Sequence, residues 1–501
     1  MRFIAFYLLV LIITATGIAI AENKSVPDGT IYGHVYDAET KQPVSGAWVY
    51  CLEAKCPKQT TDSDGYYAIE NCFSPSSSYI IECTKNGYPT ANNTAQTNSR
   101  GKAEVDFNFN LGTSNSLQKP ESKQTQAKSW KKTFGGSSDD EGRSVRTTND
   151  GGYIIVGKTN SYGAGETDVW LIKTDADGNK LWDRTFGGPW FDGGDSVSQT
   201  SDGGYIIAGK TESYSQANDG KSMELIGPRD IWLIKTDANG KKLWDRKFSG
   251  SMDGIGNSVL QTSDGGYIIA GGKLSDGSVS LAGLDAWLIK TDPNGNMQWD
   301  RTFGESGYYE SADSVRQTID GGYIIAGSTY GGNDGSDVWL IKTDANGNEQ
   351  WNKVFSGVGS DYGESTQQTN DGGYIIAGWT SANKKISIWL IKTDAVGNNI
   401  WDRTFSESNY DSGHSVQQTS DGGYIITGST DFGAGIREVS LIKTDANGNK
   451  VWNKTYGGSG QDDGFSVQQT NDDGYIITGW THSYGSGGFD LWLIKTDSEG
   501  N

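Results

Sequence analysis

Acidic residues recur just ahead of one short segment of a repeated unit: Asp139, Asp140, Asp192, Asp195, Asp253, Asp313, Asp361, Glu364, Asp411, Asp462 and Asp463. Paired carboxylates can divide general-acid and general-base work on a glycosidic bond. Carboxylates in a polar loop are more simply solvated, and that is the first reading of these. Histidine is scarce: His34, His414 and His482 stand far apart, and the last two replace other residue types at the same place in sister units. Neither a His-based metal centre nor a Ser–His pair is visible. Aromatic residues offer different chemistry. Trp190, Phe191, Tyr162, Tyr214, Tyr308, Tyr309, Tyr362, Tyr410 and Tyr484 lie in segments that differ between units, beside Asp, Asn and Ser. Aromatic faces next to polar acceptors suit stacking on sugars or docking of protein side chains; packing within the rim is the competing use. Trp190, Phe191, Tyr308, Tyr309, Tyr362 and Tyr410 are therefore the candidate ligand-binding residues. No residue is assigned a catalytic or metal-binding role.

The elements that must position these residues follow from repetition. "TNDGGYIIVGKT" at 148–159 returns six more times, ending with "TNDDGYIITGWT" at 470–481. Each unit reads as four strands: "SVQQT", then "GYIIAGKT", apolar on both faces, then "WLIKTD", then "KLWDRTF". The first pair is joined by Ser-Asp-Gly-Gly and the last by Asp-Ala-Asn-Gly-Asn, both hairpin-turn chemistry. A four-stranded sheet repeated at fixed period predicts a β-propeller. The array opens at Trp130 with a lone fourth strand and stops after a third strand at 492–497, so the two ends complete one blade. The expectation over 129–501 is a closed, seven-bladed propeller.

In such a ring the two uniform turns of each blade share one face. The second-to-third and blade-to-blade connections lie on the other and vary freely: compare "NSYGAGET" at 160–167 with "ESYSQANDGKSMELIGPR" at 212–229. Function is expected on that variable face. "DADGN" at 175–179 offers oxygens at alternating positions, as a Ca²⁺ loop does. Val396 and Lys241 break the pattern in other copies and no bidentate Glu follows, so turn geometry explains every copy. No cofactor is expected, Ca²⁺ being the one ion the turns bring to mind.

"LIKTDANGNKLWDRTFGG" resembles the tryptophan-docking repeat of quinoprotein-type propellers. That resemblance implies that the Trp after the third-to-fourth turn packs on the neighbouring blade. The array carries no cysteine, whereas quinoprotein dehydrogenases place a vicinal disulfide beside the cofactor, so quinone chemistry is not expected. Kelch-like propellers are similar in unit length and in their Gly-rich second strand.

The remainder is smaller. "MRFIAFYLLVLIITATGIAIA", residues 1–21, reads as an export signal with a small-x-small end, or as an N-terminal anchor of similar length. Residues 29–111 alternate as short strands, predicting a small β-sandwich. The order "GHVYD…GAWVYC…TTDSDGYYAI…YIIECTKNGY" resembles the carboxypeptidase regulatory-like, transthyretin-like domains, which implies a non-catalytic accessory module. Cys51, Cys56, Cys72 and Cys83 all fall there, and an even cluster in an exported chain predicts two disulfides, in any of three pairings. Residues 112–128 read as a flexible linker. A net charge of −20 without a basic patch argues against nucleic acid. The limited alphabet, sandwich module and Asp/Asn/Gly-rich array resemble archaeal surface proteins. The function expected is a cell-surface or extracellular scaffold binding glycan or protein, with a secreted polysaccharide-cleaving enzyme as the alternative.

Overall fold

The computed structural model describes residues 29–37, 42–51, 59–62, 64–70, 73, 78–84, 91–100, 102–109, 129–212, 229–249, 254–274, 283–304, 308–330, 335–382 and 384–501. The signal-like segment, the linker, Cys56, Cys72, Tyr214 and Asp253 lie outside them. The chain divides into two units, Met1–Pro120 and Glu121–Asn501. Among the described residues no helix is long and apolar enough to cross a membrane.

The first unit holds two four-stranded sheets. In one, Ile31–Asp37 pairs with Tyr66–Ile69 on one edge and, in parallel, with Ala103–Glu104 and Phe107–Phe109 on the other. In the second, Trp48–Cys51 and Ser78–Thr84 form the centre between Gln59–Thr60 and Ala91–Gln96. Ile31–Asp37 alternates buried and half-buried, the period-2 pattern of a strand with one face on a core. Ile31, Val35, Val49, Tyr67, Ile81 and Phe107 supply that core. Cys51 and Cys83 are buried in paired strands and are not joined to each other, against one of the three expected pairings. Cys51 faces Ile81 and Cys83 faces Val49, so the two stand diagonally across the ladder. Burial pushes the Cys83 thiol up to about 12, leaving it unreactive at neutral pH.

The second unit is the array, and its strands fall where the repeat predicts. Six blades run in chain order, from Asp140–Thr147, Tyr153–Thr159, Asp168–Thr174 and Lys180–Phe186 to the blade ending at Lys450–Tyr456. The seventh joins Asp462–Gln469, Tyr475–Thr481 and Asp490–Thr496 to Trp130–Phe134. Blades five and six are additionally bridged at Ile386 and Tyr410. Each Tyr-Ile-Ile stretch is buried on both sides, because adjacent sheets cover it front and back.

Each blade is tied to the next by the same few groups. In the innermost strands a serine hydroxyl accepts from the backbone N–H of a neighbouring blade: Ser144 from Val197, Ser196 from Val259, Ser258 from Val315, and so on to Ser466 from Val145 at 3.3 Å, which closes the ring. Gln199, Gln261, Gln317, Gln368, Gln418 and Gln469 each accept from the preceding blade's turn. On the outer strand, Trp244 lies over Gly295 of the next blade's turn and 5.8 Å from Tyr267, and the other six tryptophans repeat this. The docking implied by the quinoprotein-type resemblance is thus present, including Trp130 on Gly178.

Gly295 has φ +79°, and a Cβ there would meet Trp244 at 2.6 Å. Gly321 has φ +82° with nothing within 4 Å of such a Cβ. Gly321→Ala is expected to cost only the left-handed backbone penalty of ~1–2 kcal/mol. Gly295→Ala adds a steric clash and is expected to cost ~2–4 kcal/mol. Denaturant midpoints of the two variants check the difference.

The Asp-Gly-Gly turn does more than turn. Asp150, Asp202, Asp264, Asp320, Asp371, Asp421 and Asp472 each hold the lysine of the following "LIKTD" strand, Lys173 through Lys495, at 2.8 to 3.0 Å. Those lysines are almost wholly buried and also donate to the next residue's carbonyl, as Lys290 does to Thr291 at 2.9 Å.

Candidate functional site

Every innermost strand carries a β-bulge, between Gly142 and Ser144 in the first blade and at the equivalent place in the other six. A bulge adds one residue and re-aims its side chain. The added residues are Arg143, Asp195, Asn257, Asp313, Glu364, His414 and Phe465, and they converge around the axis. Asn257 Nδ2 donates to Asp313 Oδ1 at 3.0 Å. The His414 and Phe465 rings lie 5.3 Å apart, and the Arg143 guanidinium sits 4.2 Å over Phe465.

Two acids of this ring act on each other. Burial pushes Asp313 up to about 6, and burial together with Asp313 pushes Glu364 up to about 8. Both carboxyls are thus held above the ordinary carboxylate range, and they titrate as a pair. Burial holds His414 below its ordinary value, against the pull of Asp463 at 3.6 Å. Asp463 is itself held by Arg437 at 3.1 Å.

The candidate aromatics divide into four settings. Tyr309 and Tyr362 stand beside the two acids: burial, Asp313, Tyr362 and Glu364 raise Tyr309 to about 12, and Tyr362 stacks on Trp379 at 4.3 Å. Tyr308 stacks on Tyr330 at 4.9 Å, and the pair is exposed, at 42% and 45%. Tyr410 is exposed beside Phe432, and both line a hollow of about 480 Å³ with Lys385, Glu407, Ser408 and Asn409. Arg437 lies 5.4 Å over the Tyr410 ring. Phe191 is clasped by Lys158 and Lys210, at 5.7 and 5.3 Å, and Trp190 beside it is half-buried. The two lysines engage Phe191 within the rim. Tyr162 and Tyr484 are also tied there, their hydroxyls donating to Gly135 and Gly457 carbonyls at 2.7 and 2.8 Å.

The recurring acids are not uniformly solvated, which corrects the expectation. Asp140, Asp192, Asp361, Asp411 and Asp462 are buried. They accept from loop backbone and hydroxyl donors: Asp140 takes Gly136 N–H at 2.9 Å and the Ser161 hydroxyl at 2.7 Å. Asp192 takes Gly188 N–H at 2.7 Å. They shape the blade-to-blade loops. The Asx turns likewise use their carboxylates locally, Asp175 accepting from Asp177 and Asn179 N–H and from the Asn179 amide. Among the described residues no group of three or more His, Cys, Asp or Glu is placed to hold a metal ion.

The sequence reading overlooked Arg143, Arg437, Trp379, Tyr330 and Phe432, and gave His414 no role. The signal for Arg143 and His414 was positional: both occupy the residue before the Ser-Val pair, where only Asp195 and Asp313 share a residue type.

No family model matches the chain. The regulatory protein FlaEY of Caulobacter vibrioides is 27% identical over 190 residues, which cover 36% of this chain and 20% of that protein. The match thus spans about a fifth of the curated relative's length. Among solved structures the chain is similar to puromycin hydrolase, with TM-score 0.46 and 12% identity over 76% of this chain and 54% of that one. It is also similar to Chaetomium thermophilum Sqt1 bound to the N-terminus of ribosomal protein L10, with TM-score 0.42 and 12% identity over 73% and 98%. The Neurospora crassa Pan2 WD40 domain gives TM-score 0.40 at 10% identity over 70% and 88%.

Proposed function

We propose that this chain is an exported binding scaffold whose propeller presents its variable face to a glycan or protein ligand. One observation carries the reading. Exposed aromatic pairs, Tyr308 with Tyr330 and Tyr410 with Phe432, occur on the variable face, the second pair walling a polar hollow of about 480 Å³. Aromatic rings beside carboxylate, amide and hydroxyl groups grip a sugar by stacking on its C–H face while fixing its hydroxyls. The opposite face spends its polar groups on its own turns and on ties between blades. Residues 1–21 support export, and the sandwich unit, as a regulatory-like module, suits an accessory role at a cell surface.

Screening the full chain on an array of bacterial, archaeal and plant glycans tests this directly. Binding is expected, with Tyr410→Ala and Phe432→Ala each weakening it by ~1–2 kcal/mol, or about five- to thirtyfold. Binding unchanged in the double variant would remove the hollow from the reading. An array without hits would turn the search to protein ligands.

A second reading rests on Glu364 and Asp313. Two neighbouring bulge carboxyls, both raised by burial and standing beside Tyr309, offer the pair of acids that a glycoside-cleaving site needs. It predicts turnover of a polysaccharide that is lost in Glu364→Gln; binding without turnover retains the scaffold.

A further inference from the structure

Along each innermost strand, the residue after the Ser-Val pair (Ser-Thr in the fifth blade) points into the channel. Around the ring these are Arg146, Ser198, Leu260, Arg316, Gln367, Gln417 and Gln468, and all seven line one cavity of about 240 Å³. The arginines come from the first and fourth blades, on opposite sides of a seven-membered ring.

Their surroundings are unusual for two cations. Arg146 Nη1 donates to the Val145 carbonyl at 2.7 Å and to the Ser466 hydroxyl at 3.3 Å. Arg316 Nη1 donates to the Val315 carbonyl at 2.8 Å. A guanidinium has five N–H donors. Among the described residues, no acceptor meets the others and no carboxylate pairs with either arginine. Burial and the charge of Arg316 push Arg146 down to about 9, and burial lowers Arg316; a guanidinium keeps its proton in proteins, so both are cations. Facing like charges of two half-buried arginines in one channel repel each other unless something neutralises them.

The glutamines add to this. Gln367 Oε1 accepts from Gln418 N–H at 2.9 Å, Gln417 Oε1 from Gln469 N–H at 2.6 Å, and Gln468 Oε1 from Thr147 N–H at 2.8 Å. With each amide oxygen held by the adjacent blade, the amide nitrogens remain as donors. The cavity wall therefore offers two guanidinium groups and three amide NH₂ groups, an array rich in donors. At ~30 Å³ per water in the liquid, the space holds a compact solute with a few waters.

We propose that the central channel binds one small, doubly charged oxyanion between Arg146 and Arg316, in the size range of phosphate or a short dicarboxylate. Guanidinium forks match the oxygen geometry of both groups. This site is independent of the ligand on the variable face.

Calorimetric titration of the full chain with inorganic phosphate and, separately, succinate tests it, with sodium chloride at equal ionic strength as reference. One equivalent of at least one anion is expected to bind, with a thermal unfolding midpoint above that in chloride. A preference for phosphate identifies a tetrahedral oxyanion; a preference for succinate identifies a dicarboxylate. Arg146→Gln and Arg316→Gln are each expected to weaken uptake at least tenfold. Gln417→Glu keeps the tie to Gln469 and places a carboxylate in the same ring. It is expected to raise the midpoint without added anion and to cut uptake at least tenfold. Uptake of neither anion, or uptake by Gln417→Glu equal to that of the unaltered chain, overturns the proposal.

Discussion

Deleting residues 129–134 from the full chain is expected to unfold the propeller at a markedly lower temperature and to make it self-associate. Those residues form the fourth strand of the last blade, with Thr133 opposite Trp492 and Trp130 opposite Lys495. Trp130 also lies over Gly178 and 5.9 Å from Tyr153, so it docks the last blade onto the first. Losing a docked Trp costs ~3–5 kcal/mol, and each lost ladder hydrogen bond adds ~1 kcal/mol. The midpoint is expected to fall by roughly 10 °C or more. The edge Leu491–Lys495, stripped of its partner, becomes a template for another chain. Scanning calorimetry with light scattering checks both effects. A monomer of unchanged midpoint would mean that the serine ties, Ser466 to Val145 among them, hold the ring without the strand.

The second large effect concerns the seven buried lysines. Asp264→Ala is expected to destabilise by ~2–3 kcal/mol, the lower end for breaking a buried pair, because it strands Lys290 while its own side chain is 57% exposed. Lys290 keeps the Thr291 carbonyl and Gln298, at 2.9 and 3.2 Å, which limits the loss. Combining Asp264→Ala with Lys290→Met is expected to recover part of it, since the second change removes the unpaired charge. The same pairs set the acid response. Asp150 and Asp202 are held down to about 2 by hydrogen bonds from Thr148 and Lys173, and from Thr200 and Lys235, against the opposing effect of burial. A folded pKa below the unfolded value of ~3.9 means stability present above pH ~4 and lost as pH falls through about 2. The contribution of these pairs to the unfolding midpoint should therefore hold from neutrality to pH ~4.5 and drop steeply below. A steep loss between pH 6 and 5 would instead point to His414, whose folded value burial holds below the ordinary one; Asp313 and Glu364, whose folded values are raised, add stability as pH falls.

The strands, both turns, the docking tryptophans and the ring-closing strand were legible in the sequence, because each is written seven times and each copy restates the same steric demand. Asp264 and its counterparts were read as turn residues only. Their lysines sit 21 to 33 residues downstream, and nothing local reveals that the two meet. The channel was illegible for the opposite reason. Arg146, Arg316 and His414 each interrupt the repeat, and a lone departure looks like drift until the bulge and the ring bring departures from seven blades together. Tyr410 and Tyr308 were found by exposure logic that also selected Trp190 and Phe191. Only the lysines flanking Phe191 distinguish a rim contact from an open face.

Ser129 Oγ reaches the Asn501 carbonyl at 2.5 Å, so the array's two ends meet in space. Every blade also offers its neighbours the same serine, glutamine and tryptophan contacts. A ring of this kind has no obligatory starting point. A circular permutant opened at Asn149-Asp150 or Ile319-Asp320, with 129 and 501 joined by a short linker, should close with the same blade order. The fold is then a property of the cycle, and any one linear chain is a single way of cutting it.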